Sequence, residues 1–150
     1  KLDAFDRAIL QALQANGRIT NQQLSERVGL SPSPCLRRLR RLEDEGYIAG
    51  YTAIVDERWL GLPVAIFMSV KLERQVDSVL TTFEAEIAER PEVIDCWLMT
   101  GDKDYLLLIR VAGLAEYEEF LTGTFTKIPG IASIQSSVSL RHVKGRLTEV

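Results

Sequence analysis

One histidine and two cysteines are all that 150 residues offer to metal, thiol or proton-relay chemistry. Cys35 and Cys96 lie far apart, with no C-x-x-C and no histidine cluster, so neither a disulfide framework nor a zinc site is signalled. Both thiols are expected as small buried hydrophobes. His142 sits beside Arg141 near the end of a predicted strand, where a structural role is expected over a catalytic one. No G-x-S-x-G, P-loop, G-x-G-x-x-G or H-E-x-x-H occurs, and Asp102 and Asp104 lack an acid partner or a ligand set. No catalytic residue, metal or cofactor is therefore expected. Long apolar runs are missing too: "LPVAIFMSV" and "YLLLIRV" fall well short of the roughly 20 residues of a membrane helix. No basic-then-apolar leader opens the chain, which places it in the cytoplasm with no membrane partner.

What is present is a globular composition, 46% hydrophobic and 26% charged, sufficient for one ordinary domain or two small ones. The net charge of −3 is unevenly spread. Residues 1–50 hold eight basic and six acidic side chains, a net of +2, whereas residues 51–150 hold ten and fifteen, a net of −5. A modestly basic first part on an acidic remainder suggests a module that meets a polyanion, joined to one with another task.

Phe5, Ile9, Leu10 and Leu13 recur at helical spacing between Asp3 and Asn16-Gly17, which predicts a first helix. Thr20 is expected to cap a second, carrying Leu24 and Val28 inward, and Gly29 to end it in a left-handed conformation. A third opens with Ser33 as cap and Pro34 at the first helical position. The alternation in "YIAGYTAIV" predicts a strand or short hairpin, and "DERWLGLP" a connection, with the domain boundary near Gly61. Beyond it come a strand "VAIFMSVKL", a helix over 76–89 with Val79, Leu80, Phe83, Ile87 and Ala88 inward, and a strand "VIDCWLM". A turn "GDKD", a strand "YLLLIRV", a helix over 114–127 and a strand "IASIQSSVSLRHV" complete the order βαββαβ. Two helices on one face of four antiparallel strands leave the other face open. The consecutive apolar residues of "YLLLI" imply that this second face is buried as well, by self-association.

The third helix packs four arginines into positions 37–41 and follows them with Glu43, Asp44 and Glu45. At 100° per residue, Cys35, Leu36 and Leu42 fall within about 60° of Leu39 and form the buried stripe. Arg37 and Arg41 point outward beside Pro34, and Arg38 and Arg40 sit on the flanks. Ion pairs Arg40–Asp44 and Arg41–Glu45 have the right spacing but are worth only a few tenths of a kcal/mol, and acids at a helix C-terminus oppose its dipole. A second helix ending at Gly29, a "LS" link and a third helix opening with serine and proline have helix-turn-helix spacing. The arginine-bearing half is thus expected in a DNA major groove, where Arg37, Arg38 and Arg41 meet guanine edges or phosphate. Ser31 and Ser33 suit phosphate oxygens, although simple capping explains Ser33 equally well.

At these residues the chain resembles the Lrp/AsnC (leucine-responsive and asparagine-responsive, feast/famine) transcriptional regulators. The resemblance runs through "LDAFDRAILQALQANGRITNQQLSERVGLSPSPCLRRLRRLEDEGYIAGYTAIVD" and "GDKDYLLLIRV", and covers residues 2 to 148. It implies an α+β protein: a winged-type helix-turn-helix domain over 1–46, a connecting strand over 47–62, and a ferredoxin-like βαββαβ domain over 63–150 for effector binding and oligomerisation. It also implies dimers that build higher assemblies, usually octamers, and an amino acid or similar metabolite as effector. The effector residues so implied are Met99, Thr100, Gly101, Asp102, Asp104 and Tyr105, with Gln135, Ser136 and Ser137 from a facing subunit. Two carboxylates suit an α-ammonium, yet D-K-D after glycine is equally ordinary hairpin chemistry, with Lys103 facing solvent. Double-stranded DNA is the expected partner, in a bacterial or archaeal nucleoid; an amino-acid sensor without DNA binding is the alternative. The chain opens on the first helix, so a basic N-terminal arm is expected to be missing.

Overall fold

The computed structural model describes residues 1–145 and 150. The chain divides into two compact units: Lys1–Ile54, with described residues after Val143, and Val55–Val143. The division falls inside the segment expected to connect the domains.

In the first unit three helices enclose a small core. Helix α1 (Ala4–Ala15) starts at a reciprocal cap, in which Asp6 N donates to Asp3 Oδ1 at 2.8 Å and Asp3 N to Asp6 Oδ2 at 3.0 Å. Helix α2 (Asn21–Val28) is capped in the same way by Thr20 and Gln23, and ends at Gly29 with φ +76°, as its sequence predicts. Helix α3 (Pro32–Asp44) follows the link Gly29-Leu30-Ser31. Ile9, Leu10, Ala12, Leu24, Cys35 and Leu42 are buried between them, with Leu39 and Ile48 packed alongside. Phe5, at the same helical spacing, is 41% exposed, with its ring against the Arg38 guanidinium of α3.

The strand or hairpin expected in "YIAGYTAIV" is not formed: residues 49–56 carry no regular structure, and Tyr51, Ile54 and Val55 are exposed. The alternation is real, but a strand exists only against a ladder partner, and the described residues of this unit supply none. A turn follows at 57–61, where Arg110 reaches the Glu57 carboxylate at 3.9 Å and donates to Leu62 O at 3.4 Å, tying this stretch to the second unit.

The second unit is β1 (Val64–Leu72), α4 (Asp77–Ala88), β2 (Val93–Leu98), β3 (Tyr105–Val111), α5 (Leu114–Gly123), a 3-10 turn (Phe125–Lys127) and β4 (Ile131–Val138). The strands pair antiparallel in the order β2-β3-β1-β4, which is the ferredoxin-like arrangement. Alternate residues Ile66, Met68, Val70 and Tyr105, Leu107, Ile109 point toward α4 and α5. There they meet Phe83, Ile87, Tyr117, Phe120 and Phe125, and the Phe83 and Tyr105 rings lie 4.5 Å apart. Ala88 is exposed at the last turn of α4 rather than inward. The helix expected over 114–127 closes at Gly123 and tightens into the 3-10 turn, consistent with the poor helix propensity of the Gly-Thr pair. Strand β4 ends at Val138, so Leu140 and His142 lie beyond the ladder, exposed, and not on a strand as expected.

Among the described residues the other sheet face is uncovered. Its cross-strand rows are Trp97–Leu106–Ser69–Gln135 and Asp95–Leu108–Phe67–Ser137. Leu106 and Leu108 are half-buried by their neighbours, and Trp97 and Phe67 remain 46% and 41% exposed.

Candidate functional site: the arginine helix and the glycine turn

Of the two serine-proline pairs at the start of α3, the first sets the boundary. Ser31 is the N-cap and Pro32 the first helical residue, so Ser33 and Pro34 lie inside the first turn and Ser33 is not the cap. Pro32 needs no N–H there, its carbonyl accepts from Asn21 Nδ2 at 2.9 Å, and Cys35 N donates to Ser31 O at 3.1 Å. The Ser31 side chain makes no capping bond, which leaves its hydroxyl exposed at the helix N-terminus.

The four arginines separate into two pairs. Arg38 Nη1 donates to Asp3 Oδ2 at 2.6 Å and Asp6 Oδ1 at 3.0 Å, and its guanidinium lies 5.3 Å from the centre of the Phe5 ring. Arg41 Nη2 lies 2.7 Å from Asp6 Oδ2, and its Nη1 donates to Glu45 Oε2 at 3.3 Å. Arg41 is not the free outward cation, nor Arg38 the free flanking one, that a helical wheel of α3 alone suggests, because α1 sets two carboxylates against that side. Asp6 is only 1% exposed. Burial pushes its carboxyl up, but the Asp3 N–H and the two guanidiniums outweigh burial and hold it at about 2. Arg37 and Arg40 are exposed and form no ion pair or side-chain hydrogen bond among the described residues; the expected Arg40–Asp44 pair is absent, and Arg41–Glu45 is present. Ser33, Arg37 and Arg40 stand at i, i+4 and i+7, one stripe of the helix.

In the second unit Gly101 adopts φ +100° in the turn between β2 and β3, a conformation that a side chain would strain. Met99 N donates to Asp104 O at 2.8 Å, and Asp104 N to Val70 O at 2.8 Å. The buried Asp104 carboxylate accepts Leu72 N at 2.7 Å and Gln75 Nε2 at 2.7 Å, which ties the turn to the bulged end of β1. Tyr105 is buried, and its hydroxyl donates to Glu84 Oε2 at 2.9 Å; burial first, then Glu84, raises its pKa. Met99, Thr100, Gly101 and Asp102 are exposed at the tip, and Lys103 is half-buried rather than solvent-facing. Gln135 and Ser137 lie on the open sheet face, whereas Ser136 lies on the helix face and shares a hydrogen bond with Tyr117. The three strand residues are therefore divided between the two faces of the sheet.

Sequence reasoning missed Arg40, whose signal was its spacing from Ser33 and Arg37. It also missed Gln75, and Lys71, whose amine donates to Asp102 O at 3.0 Å; both meet the turn only through tertiary structure. No group of three or more metal-ligating side chains occurs among the described residues.

Two family models match the chain: winged helix-turn-helix DNA-binding over residues 2–49 and Lrp/AsnC ligand binding domain over residues 65–148. The Bkd operon transcriptional regulator of Pseudomonas aeruginosa is 48% identical over 143 residues, 95% of this chain and 94% of that protein. The leucine-responsive regulatory protein of Salmonella typhimurium is 42% identical over the same share of this chain and 87% of its own length. A transcriptional regulator from Neisseria meningitidis, solved in complex with L-Met, superposes with a TM-score of 0.93 at 39% identity, over 100% of this chain and 96% of that one. With both domains matched in order and regulators similar over nearly its whole length, the chain belongs to the Lrp/AsnC family of DNA-binding transcriptional regulators.

Proposed function

We propose that α3 reads the major groove with its exposed N-terminal half, and that Ser31, Ser33 and Pro34 approach the phosphates while arginines approach base edges. The carrying observation is the uncompensated cationic stripe of Arg37 and Arg40 on a helix whose opposite side is fixed by buried Cys35 and Leu42. An acidic protein binds DNA when its positive field is local in this way. Gel-shift titration over a salt series tests this: the logarithm of affinity falls linearly with the logarithm of salt concentration. Salt-independent binding would overturn the reading.

The effector is an amino acid or a similar small metabolite, bound at the β2–β3 turn, with backbone N–H groups around Gly101 receiving its carboxylate and Asp102 its ammonium. The L-Met held by the similar Neisseria regulator supports that ligand class. Asp104 and Tyr105 act from behind the turn, since their polar atoms already have partners. Gln135 and Ser137 join from a second copy, and Ser136 supports them from the helix side. A dimer, assembled further into an octamer, supplies that copy, and the open apolar sheet face supports self-association. A thermal-shift screen against the twenty amino acids, with light scattering before and after the best hit, tests both points.

No helix among the described residues is long and apolar enough to cross a membrane. A regulator of transcription works on the nucleoid, so the cytoplasm is its place, and neither catalysis nor a cofactor enters this function.

A further inference from the structure

The arginines of α3 lie on two stripes about 100° apart around the helix. Arg37 and Arg40, with Ser33, form one; Arg38 and Arg41 form the other, and α1 has placed Asp3 and Asp6 against it. We infer that the two stripes divide the work: Arg37 and Arg40 read bases, whereas Arg38 and Arg41 are positioning residues that clamp α3 to α1 through Asp6 and set the angle at which the reading stripe is presented. This rests on the proposal that α3 enters the groove.

The physical argument is one of competing partners. Arg38 through Nη1 and Arg41 through Nη2 both hold Asp6, so swinging either guanidinium out to a base edge would leave a buried carboxylate short of a cation. Arg37 and Arg40 release nothing; they give up only water and rotamer freedom. The local field agrees. Asp3, Asp6 and Glu45 together outnumber the two clamped guanidiniums, so the attraction this helix exerts on a polyanion comes from the other pair. The clamp also closes a geometric loop. The Asp3–Asp6 reciprocal cap fixes the first turn of α1, and the same two carboxylates hold α3 at residues one turn apart, so a single rigid joint defines both helix positions.

Selection from random duplex, followed by affinity measurements over a salt series, tests the division on the intact chain. Arg37→Gln and Arg40→Gln are each expected to flatten the preference at one or two positions per half-site. Specific affinity should fall about ten- to hundredfold, with the melting temperature unchanged. Arg38→Gln is expected to select the same consensus as the unsubstituted protein, to weaken specific and non-specific binding by a common factor, and to leave the salt slope unchanged. If Arg38→Gln does not fold, Arg38→Lys carries the same expectations. A lost base preference in the Arg38 variant, or a salt slope reduced by about one per lost phosphate contact, would overturn the division. So would an unaltered consensus in both Arg37→Gln and Arg40→Gln. An unsubstituted protein that selects no consensus would instead defeat the reading of α3 itself, and this inference with it.

Discussion

Asp6 does more than its place at the start of a helix demands. It closes the cap with Asp3, receives two arginines, and is buried while doing so. Asp6→Ala should destabilise the chain by about 1–3 kcal/mol, through the loss of its cap bond to Asp3 N and of its charge-assisted bonds to Arg38 and Arg41. Its pH dependence has a definite sign. The folded carboxyl is held at about 2 against an ordinary 3.8, so its contribution is fully present above about pH 4 and is lost as pH falls toward 2. The difference in melting temperature between the wild type and Asp6→Ala should therefore shrink across that interval, as followed by circular dichroism. Asp104 makes a parallel case in the second unit. Asp104→Ala removes the acceptor of Leu72 N and Gln75 Nε2 and should cost about 1–3 kcal/mol in denaturant unfolding, in addition to any loss of effector response. Effector response abolished at unchanged stability would mean that the carboxylate's role is contact and not support.

The helices of the first unit are built from terminal signals as much as from apolar spacing. Both α1 and α2 begin with a reciprocal side-chain cap, and α2 ends on a left-handed glycine. Thr20→Ala should lower stability by about 1 kcal/mol in thermal unfolding, because Gln23 N loses its acceptor. At the start of α3, Ser31-Pro32 and Ser33-Pro34 satisfy the same rule, and a contact from Asn21 favours the earlier one. Strand β3 shows the limit of periodicity. Its run of apolar residues predicts a strand buried on both faces, and in the single chain one face carries Leu106 and Leu108 only half-covered.

At the scale of the molecule, that open face is the feature a single chain leaves unsatisfied. Phe67, Trp97, Leu106 and Leu108 form a continuous apolar band, bordered on β4 by Gln135 and Ser137. If the band is where copies meet, Leu108→Lys should shift the mass measured by light scattering toward the monomer and leave the far-ultraviolet spectrum unchanged. An unaltered mass would move the interface elsewhere.

The element order, the caps, the basic helix and the glycine turn are written in local spacing, because helix periods, end signals and turn residues act over a few positions of chain. The sequence therefore determined a helix-turn-helix followed by a ferredoxin-like sheet. It could not determine which arginines are free, because the carboxylates that occupy Arg38 and Arg41 lie more than thirty positions earlier and arrive only when α1 packs on α3. Nor could it place Gln75 and Lys71 against the turn, since these are side chains that meet across elements. Tertiary structure decided those points, for the physical reason that a charge is available to a ligand only when folding has given it no nearer partner.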